Sequence, residues 1–227
     1  MKYNAKREWD KTFSAQKEVA YPAEYVIRIF KGKYPHLDLT KNYFENKKIC
    51  DIGFGDGRHL IFLGELGFDV HGIDISEDIV KRAQNNFPFI NSNNIRVGSN
   101  DKITFDDDYF DYLLSWNSCY YMGEINDFNI YVKEFARVLK KRGKLVLSIP
   151  KKTCFIFKNS EKFSTGYRII RDDPFNVRNG EILRVFEDEN EIKAIFSKYF
   201  ENFVFGSVQD ACFGFNYHWH LVVCDRK

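Results

Sequence analysis

The stretch that decides the fold is Ile49-Cys-Asp-Ile-Gly-Phe-Gly-Asp-Gly-Arg-His59. In it, a short apolar run ends in three alternating glycines, and a helix-like pattern follows at once. Glycine permits the positive φ angles of a tight turn and lets the backbone come close to a ligand. The amino end of the following helix offers free N–H groups to a carboxylate or a ribose oxygen. The stretch therefore predicts a strand, a ligand-binding turn and a helix.

Two acidic residues accompany this turn. Asp51 stands just before the glycines, where it would face a cation, and Asp74 closes the next apolar run. Asp74 follows Gly53 by about 20 positions, the offset at which an acidic residue meets ribose hydroxyls in nucleotide-binding folds. The dinucleotide fingerprint requires Gly or Ala where this chain has Arg58. The pattern therefore predicts an adenosine ligand and argues against a nicotinamide or flavin dinucleotide.

Apolar runs and helix-like patterns alternate through the middle of the chain. This alternation predicts a parallel sheet covered on both faces. Near the end, two apolar runs follow each other without a helix, which predicts an antiparallel final hairpin with a loop over 208–217. The predicted strands are 49–53, 70–74, 95–98, 109–116, 144–149, 202–207 and 218–224, and the predicted helices are 58–66, 77–86, 125–141 and 187–199. Ser76 is the expected N-cap of the second helix.

We expect one domain over residues 1–227. Residues 1–45 form an extension with helical stretches, expected either to cover the ligand edge of the sheet or to pack on its flank. Residues 151–185 are expected to be irregular, and we interpret them as an insertion that shapes the acceptor site, with a plain connection as the alternative.

The motifs resemble those of the class I S-adenosylmethionine (SAM)-dependent methyltransferases. Asp51-Ile-Gly-Phe-Gly-Asp-Gly57 is similar to their motif I and His71-Gly-Ile-Asp-Ile75 to their motif II. The likeness continues through 97–115 and 134–143, so it spans about residues 49–150. It implies a Rossmann-like α/β three-layer sandwich whose mostly parallel seven-stranded sheet has an antiparallel C-terminal strand.

The resemblance also implies roles in binding SAM. Asp51 would approach the methionine amino group, Gly53 and Gly55 would pass beneath the methionine, and Asp74 would bind the ribose. Asn100 or Asp101 would reach the adenine amine, although the family often has Asp where this chain has Ser99. The residues expected to bind SAM are Asp51, Gly53, Gly55, Asp74, Ile75, Asn100, Asp101 and Ser115.

The acceptor should enter at the carboxyl edge of the sheet, beside the segment that follows the fourth strand. Aromatic faces there would favour a sulfonium cation. Because an antiparallel last strand begins at this edge, His218 is the preferred general base, with Tyr120 as the second catalytic candidate. The alternatives are that the tyrosines are packing residues and that His218 is structural. The residues expected to bind the acceptor are Trp116, Asn117, Tyr121, Tyr21, Arg171 and Tyr217.

The predicted reaction is methyl transfer to an oxygen or nitrogen of a small molecule, such as a sugar, a polysaccharide precursor or another metabolite. Ser115-Trp-Asn-Ser118 differs from the Asn/Asp-Pro-Pro-aromatic motif of enzymes that methylate exocyclic base or glutamine nitrogens. Ser148-Ile-Pro-Lys-Lys152 lacks the carboxylates of metal-dependent catechol-type enzymes, so no metal is expected. A non-catalytic SAM-binding module and a protein or RNA methyltransferase remain open.

Composition narrows the setting. The net charge is +2, from 34 basic and 32 acidic residues spread along the chain, so a nucleic-acid partner is not expected. The five cysteines are scattered, without a metal-binding spacing, which favours reduced thiols in the cytoplasm. No apolar run approaches the ~20 residues of a membrane span. We expect a cytoplasmic monomer or homodimer without a membrane partner.

Overall fold

The computed structural model describes residues 5–15, 19–41, 43–123 and 127–227. Its helices are α1 (Ala5–Ala15), α2 (Glu24–Lys31), α3 (Arg58–Glu65), α4 (Glu77–Asn86), α5 (Asn129–Val138) and α6 (Glu189–Phe196). Its strands are β1 (Lys48–Ile52), β2 (Asp69–Asp74), β3 (Ile95–Val97), β4 (Phe110–Ser115), β5 (Leu139–Pro150), β6 (Ser160–Ser164), β7 (Tyr167–Ile170), β8 (Ile182–Arg184), β9 (Phe200–Cys212) and β10 (Phe215–Arg226).

The main sheet has seven strands in the order β3-β2-β1-β4-β5-β10-β9. Strands β1 to β5 pair in parallel, and β10 runs antiparallel to both of its neighbours. Separate apolar cores lie on the two faces, one containing Phe135 of α5 and Phe196 of α6, the other Phe30 of α2 and Leu60 of α3. The predicted Rossmann-like fold with an antiparallel C-terminal strand is confirmed.

The helix predicted over 125–141 is shorter in the structure. Its first two positions lie outside the described residues, and α5 ends at Val138 because Leu139 is already extended and pairs with Phe110 of β4. The pairing of β5 with β4 is interrupted after this first contact and resumes at Lys144. Tertiary pairing with the sheet thus overrides the helical periodicity of residues 139–141.

The loop predicted over 208–217 is wrong. Strand β9 continues to Cys212, β10 begins at Phe215, and only Phe213 and Gly214 form the turn. Both turn residues have positive φ, 47° and 87°, which matches the twist of a two-residue hairpin. This part of β9 lies at the edge of the sheet and is largely exposed. Its residues, which include polar ones, therefore do not form the apolar pattern that predicts a strand.

The prediction that residues 151–185 are irregular is also wrong. They contain a three-stranded antiparallel sheet in the order β6-β7-β8. This small sheet is joined to the segment after β4, since the backbone N–H of Met122 donates to Ile182 (3.0 Å) and that of Arg184 donates to Tyr120 (2.8 Å). The insertion therefore extends from the carboxyl edge of the main sheet.

The N-terminal extension divides between two positions. Helix α2 packs on the sheet face, with Val26, Ile29 and Phe30 buried. Helix α1 lies at the glycine turn, where the Phe13 ring faces Gly55. No described helix is both long and apolar enough to cross a membrane.

Candidate donor and acceptor sites

The turn between β1 and α3 requires its glycines. Gly53, Gly55 and Gly57 have φ of 72°, 59° and 86°, a region that residues with a side chain seldom adopt. Space is equally restricted, because a Cβ on Gly53 would lie 2.8 Å from Ser118 Cβ and one on Gly55 would lie 2.6 Å from Phe13 Cζ. The turn thus presents bare backbone at the carboxyl edge of the sheet.

Asp74 holds the turn from the neighbouring strand. Its Oδ2 accepts a hydrogen bond from the Gly55 N–H (3.1 Å), and its Oδ1 accepts one from the Ser76 N–H (3.1 Å). Burial raises the pKa of Asp74 to about 6, although these two N–H bonds oppose the rise and the negative charges of Asp10 and Asp51 add to it. Three carboxylates therefore converge on this crevice.

Asp51 is almost fully buried at the end of β1. Its Oδ2 lies 3.4 Å from His59 Nδ1 but makes no hydrogen bond. The Nε2 of His59 accepts a hydrogen bond from the Ala23 N–H (3.3 Å), so this histidine links the turn to the start of α2. His59 thus positions the turn rather than standing free in the crevice.

Unpaired oxygens mark the crevice. Among the described residues, the buried side-chain atoms without a hydrogen-bond partner are Asp10 Oδ1, Asp51 Oδ2, Asn100 Oδ1 and His220 Nδ1. Asn100 is close to the turn, because its Nδ2 donates to the carbonyl of Ser118 (3.2 Å), the residue that faces Gly53. Buried acceptors without donors are costly. The three oxygens therefore suit a ligand that is cationic and rich in N–H and O–H donors.

The other residues expected to bind SAM differ in how exposed they are. Ile75 follows β2 and is 44% exposed, so its apolar side chain is free to pack on a flat ring. Asp101 is half-buried, and its charge adds to the rise that burial causes in the pKa of Tyr131. Ser115 is fully buried and shares a hydrogen bond with Ser118 (2.7 Å). Ser115 therefore positions Ser118 through this hydrogen bond.

The segment after β4, residues 116–121, lies beside the glycine turn. Trp116 is buried and its ring meets that of His59 edge-on (6.5 Å). Asn117 has a φ of 58° and is fixed by Ser148, whose Oγ accepts from the Asn117 N–H (2.8 Å) and donates to its Oδ1 (3.0 Å). Trp116 is thus enclosed, whereas Asn117 is exposed and anchored at its Oδ1. Both belong to the segment expected to contact the acceptor.

The two tyrosines of this segment differ in their surroundings. The Tyr120 ring is 1% exposed and stacks on the Tyr121 ring (4.9 Å). Burial raises the pKa of Tyr120 well above its usual range. The Tyr121 hydroxyl accepts a hydrogen bond from Arg178 Nε (2.9 Å). Tyr121 is thus the tyrosine in polar contact with the insertion.

The start of β10 lies at the same edge, as predicted, but its side chains alternate between the two faces. The Tyr217 ring lies 4.9 Å from the Phe155 ring, and the charge of Arg178 opposes the rise that burial causes in the pKa of Tyr217. The His218 Nδ1 instead contacts Thr153 Oγ1 (2.6 Å). Burial and the charge of Lys151 lower the pKa of His218. The structure therefore places Tyr217 and His218 on opposite faces of β10, with Tyr217 on the side of Phe155 and Arg178.

Two other predicted acceptor residues are exposed at the surface. Tyr21 is 92% exposed. Arg171 is 46% exposed and forms an ion pair with Glu161 (3.1 Å). Arg171 also lines a cavity of about 590 Å³ between residues 152–159 and the tip of the β9–β10 hairpin. Their roles stay predictions.

Sequence reasoning did not select Trp9, Asp10, Phe13 or Arg178. The guanidinium carbon of Arg178 lies 5.7 Å from the centre of the Trp9 ring, which stacks on Phe13 (5.5 Å). The sequence shows only an aromatic extension and a basic residue in an insertion. Their meeting at the ligand edge could not be inferred because they are far apart in the chain.

Comparison with known proteins agrees with this geometry. Residues 50–147 match the model of a family described as "Methyltransferase domain". The chain is 30% identical over 167 residues to "Putative methyltransferase YqeM" of Bacillus subtilis, covering 65% of this chain and 67% of that protein. The chain belongs to the class I SAM-dependent methyltransferases. As a member of this family it is an enzyme, and its methyl donor is SAM.

Solved structures resemble this methyltransferase over most of its length. The PH0226 protein of Pyrococcus horikoshii OT3 superposes with a TM-score of 0.63 at 22% identity, covering 96% of this chain and 99% of that one. A SAM-dependent methyltransferase of Methanosarcina mazei superposes with a TM-score of 0.62 at 21% identity, covering 86% of this chain and 98% of that one. At such identities the likeness establishes the fold.

Proposed function

We propose that this methyltransferase transfers the methyl group of SAM to an oxygen or nitrogen of a small molecule without the help of a metal. The observation that carries the proposal is the set of unpaired buried oxygens around the glycine turn, beside Asp74. SAM carries an ammonium group, a sulfonium, ribose hydroxyls and an adenine amine, which are the cations and donors that these oxygens lack. The residues present therefore fit the donor.

Each part of the crevice has a task in this proposal. Asp51 Oδ2 accepts a hydrogen bond from the ammonium group, and Asp74 binds the ribose hydroxyls. Gly53 and Gly55 admit the methionine chain, and Asn100 Oδ1 accepts from the adenine amine. SAM supplies an electrophilic methyl group on its sulfonium. The protein holds donor and acceptor in line and keeps water out, which lowers the entropic part of the barrier.

A small acceptor is supported by the side chains that cover the segment after β4. Trp9 of α1 packs edge-on against the Tyr121 ring, and Arg178 of the insertion donates a hydrogen bond to the Tyr121 hydroxyl.

The cysteines bear on the compartment. Four cysteine thiols are buried and free, and Cys212 is free and exposed, which suits a reducing cytoplasm. We expect the enzyme to act there as a monomer or homodimer.

The test is methyl transfer from SAM labelled in its methyl group, in a metabolite extract, with the products separated by size. We expect labelled small molecules, unchanged turnover with a chelator, and little turnover for Asp74→Asn. Asp69→Asn is the matched control, since Asp69 lies at the opposite end of β2 and pairs with Lys48. Label in protein or RNA would refute the small acceptor. SAM binding without turnover would point to a non-catalytic module.

His218 remains the candidate base of the proposal, and Tyr120 is the second catalytic candidate, as a residue that positions the nucleophile. Loss of turnover in His218→Ala that is partly recovered at high pH would support proton removal by the imidazole. Full turnover at every pH would eliminate His218 as the base, and Tyr120→Phe would then be measured in the same way.

A further inference from the structure

Arg178 is an enclosed cation in the loop between β7 and β8. Its side chain is 13% exposed. Nη1 donates to the carboxylate of Asp173 (3.0 Å to Oδ1), and Nε donates to the Tyr121 hydroxyl (2.9 Å). Asp173 is fixed in turn, because its Oδ2 accepts from the backbone N–H groups of Val177 (2.9 Å) and Arg178 (3.1 Å). The loop therefore holds the guanidinium in one orientation.

One edge of this guanidinium is unused. Nη2 has no hydrogen-bond partner among the described residues, and it is not among their fully buried unpaired atoms. It therefore remains open to a ligand. Arg184, the other enclosed arginine of the insertion, differs because its Nη1 and Nη2 bond to Gly166, Val185 and Glu191. Both terminal nitrogens of Arg184 are therefore bound to the protein, whereas Nη2 of Arg178 can still donate to a ligand.

Two aromatic rings lie near this guanidinium. The guanidinium carbon lies 5.7 Å from the Trp9 ring centre and 6.0 Å from the Phe155 ring centre. Tyr217 packs on Phe155 (4.9 Å) and is close enough to Arg178 for the charge to affect its pKa. Flat apolar faces beside a planar cation suit a ligand that joins a ring to an anion.

The position is next to the donor crevice. Tyr121 lies three residues after Ser118, which faces Gly53, so even an extended chain would separate them by about 10 Å. They are closer than that, because the Tyr121 N–H donates to the Ser118 carbonyl (3.2 Å) in a turn. Helix α1 spans both sites, with Phe13 on Gly55 and Trp9 on Arg178 one helical turn away.

We propose that Arg178 recognises an oxyanion, a carboxylate or a phosphate, on a ring-bearing methyl acceptor, with Asp173 and Tyr121 as its positioning residues. This inference rests on the proposed function, because it assigns the chemistry of the acceptor at the same site. A guanidinium presents parallel N–H groups that match such anions. A carboxylate and a phosphate differ in charge and shape, so binding experiments distinguish them.

The test titrates benzoate, phenyl phosphate and neutral benzyl alcohol into the protein, with and without saturating S-adenosylhomocysteine, and follows each ligand by NMR. We expect one of the two anions to bind at least about tenfold more tightly than benzyl alcohol. The preferred anion identifies the source as a carboxylate or a phosphate. Arg178→Gln should remove this preference, and Arg178→Lys should keep part of it. Arg168→Gln removes a charge from β7 of the same insertion and should leave the preference intact.

Three results would overturn the inference. One is equal binding of the three probes, or no binding of either anion. Another is anion binding that persists in Arg178→Gln. The third is a loss of S-adenosylhomocysteine affinity in Arg178→Gln with unchanged probe binding, which would assign the arginine to the donor's carboxylate. Failure of the wild-type protein to bind S-adenosylhomocysteine would refute the proposed function instead, and titration without it would still decide the role of Arg178.

Discussion

Asp74 is buried, and in the proposed function its ionised carboxylate accepts hydrogen bonds from the ribose hydroxyls more strongly than the protonated acid would. Burial raises its pKa to about 6 in the donor-free protein. About a tenth of the carboxyl groups would then be ionised at pH 5, against most of them at pH 7. We expect the Kd of S-adenosylhomocysteine to rise about tenfold between pH 7 and pH 5, as measured by calorimetry. Asp69→Asn should show the same dependence, and a flat profile in wild type would contradict the assignment.

The same carboxyl should destabilise the donor-free fold at neutral pH. Its pKa is raised on folding, so its contribution to stability is fully present below about pH 4 and is lost as the pH rises through 6. A shift of about 2 units corresponds to about 3 kcal/mol. In urea unfolding without ligand, Asp74→Asn should be more stable than wild type at pH 7 and lose that advantage as the pH falls toward 4. Lower stability of the variant at pH 7 would contradict this sign.

At the scale of elements, α4 begins where the sequence predicts. The Oγ of Ser76 accepts a hydrogen bond from the Ile79 N–H (3.2 Å) and caps the helix. Ser76→Ala should lower the free energy of unfolding by about 1 kcal/mol. Ser197→Ala, at an exposed hydroxyl after α6, is the control and should change it by less than about 0.5 kcal/mol. Equal effects of the two substitutions would show that the cap contributes nothing.

The loop between β7 and β8 depends on Asp173. Its carboxylate is fully enclosed and neutralises Arg178 while accepting backbone N–H groups. Asp173→Asn should therefore lower the free energy of unfolding by about 2–4 kcal/mol, because it leaves a buried cation uncompensated. The neighbouring Asp172 is exposed with a φ of 49°, a conformation that Asn tolerates. Asp172→Asn is thus a matched control, and a similar loss in both variants would mean that Asp173 has no special role.

Elements were predictable where local pattern and tertiary environment agree. Strands β1 and β2 are buried beyond their first residues, and their apolar residues lie close enough together to mark both strands in the sequence. The outer half of β9 is exposed, so its residues carry no apolar pattern. The strands of the insertion are three to five residues long, too short for periodicity to distinguish them from a loop. Both regions were therefore predicted as irregular.

For the whole molecule, donor binding should stabilise the fold, because only the folded state has the crevice. S-adenosylhomocysteine at about 100 times its Kd should add about 2.7 kcal/mol. For a chain of this size that raises Tm by about 5–10 °C. Thermal unfolding followed by circular dichroism measures the shift, with NADH at the same concentration as the control. A rise with NADH alone would contradict the assignment of the crevice.

The fold class and the proposed donor crevice could be predicted from the sequence alone. The glycine turn, Asp51 and Asp74 belong to consecutive elements, and spacing within one strand–helix–strand unit fixes where they meet. The family resemblance also predicted that β10 begins at the ligand edge, because the last strand of that family runs antiparallel.

The surroundings of the proposed acceptor site depend on tertiary packing. This packing separated Tyr217 from His218 onto opposite faces of β10, placed Phe13 on Gly55, and brought Trp9 and Arg178 to Tyr121. The physical reason is that a local pattern encodes backbone conformation and burial. Contacts between side chains from distant parts of the chain depend instead on how the extension and the insertion pack against the sheet.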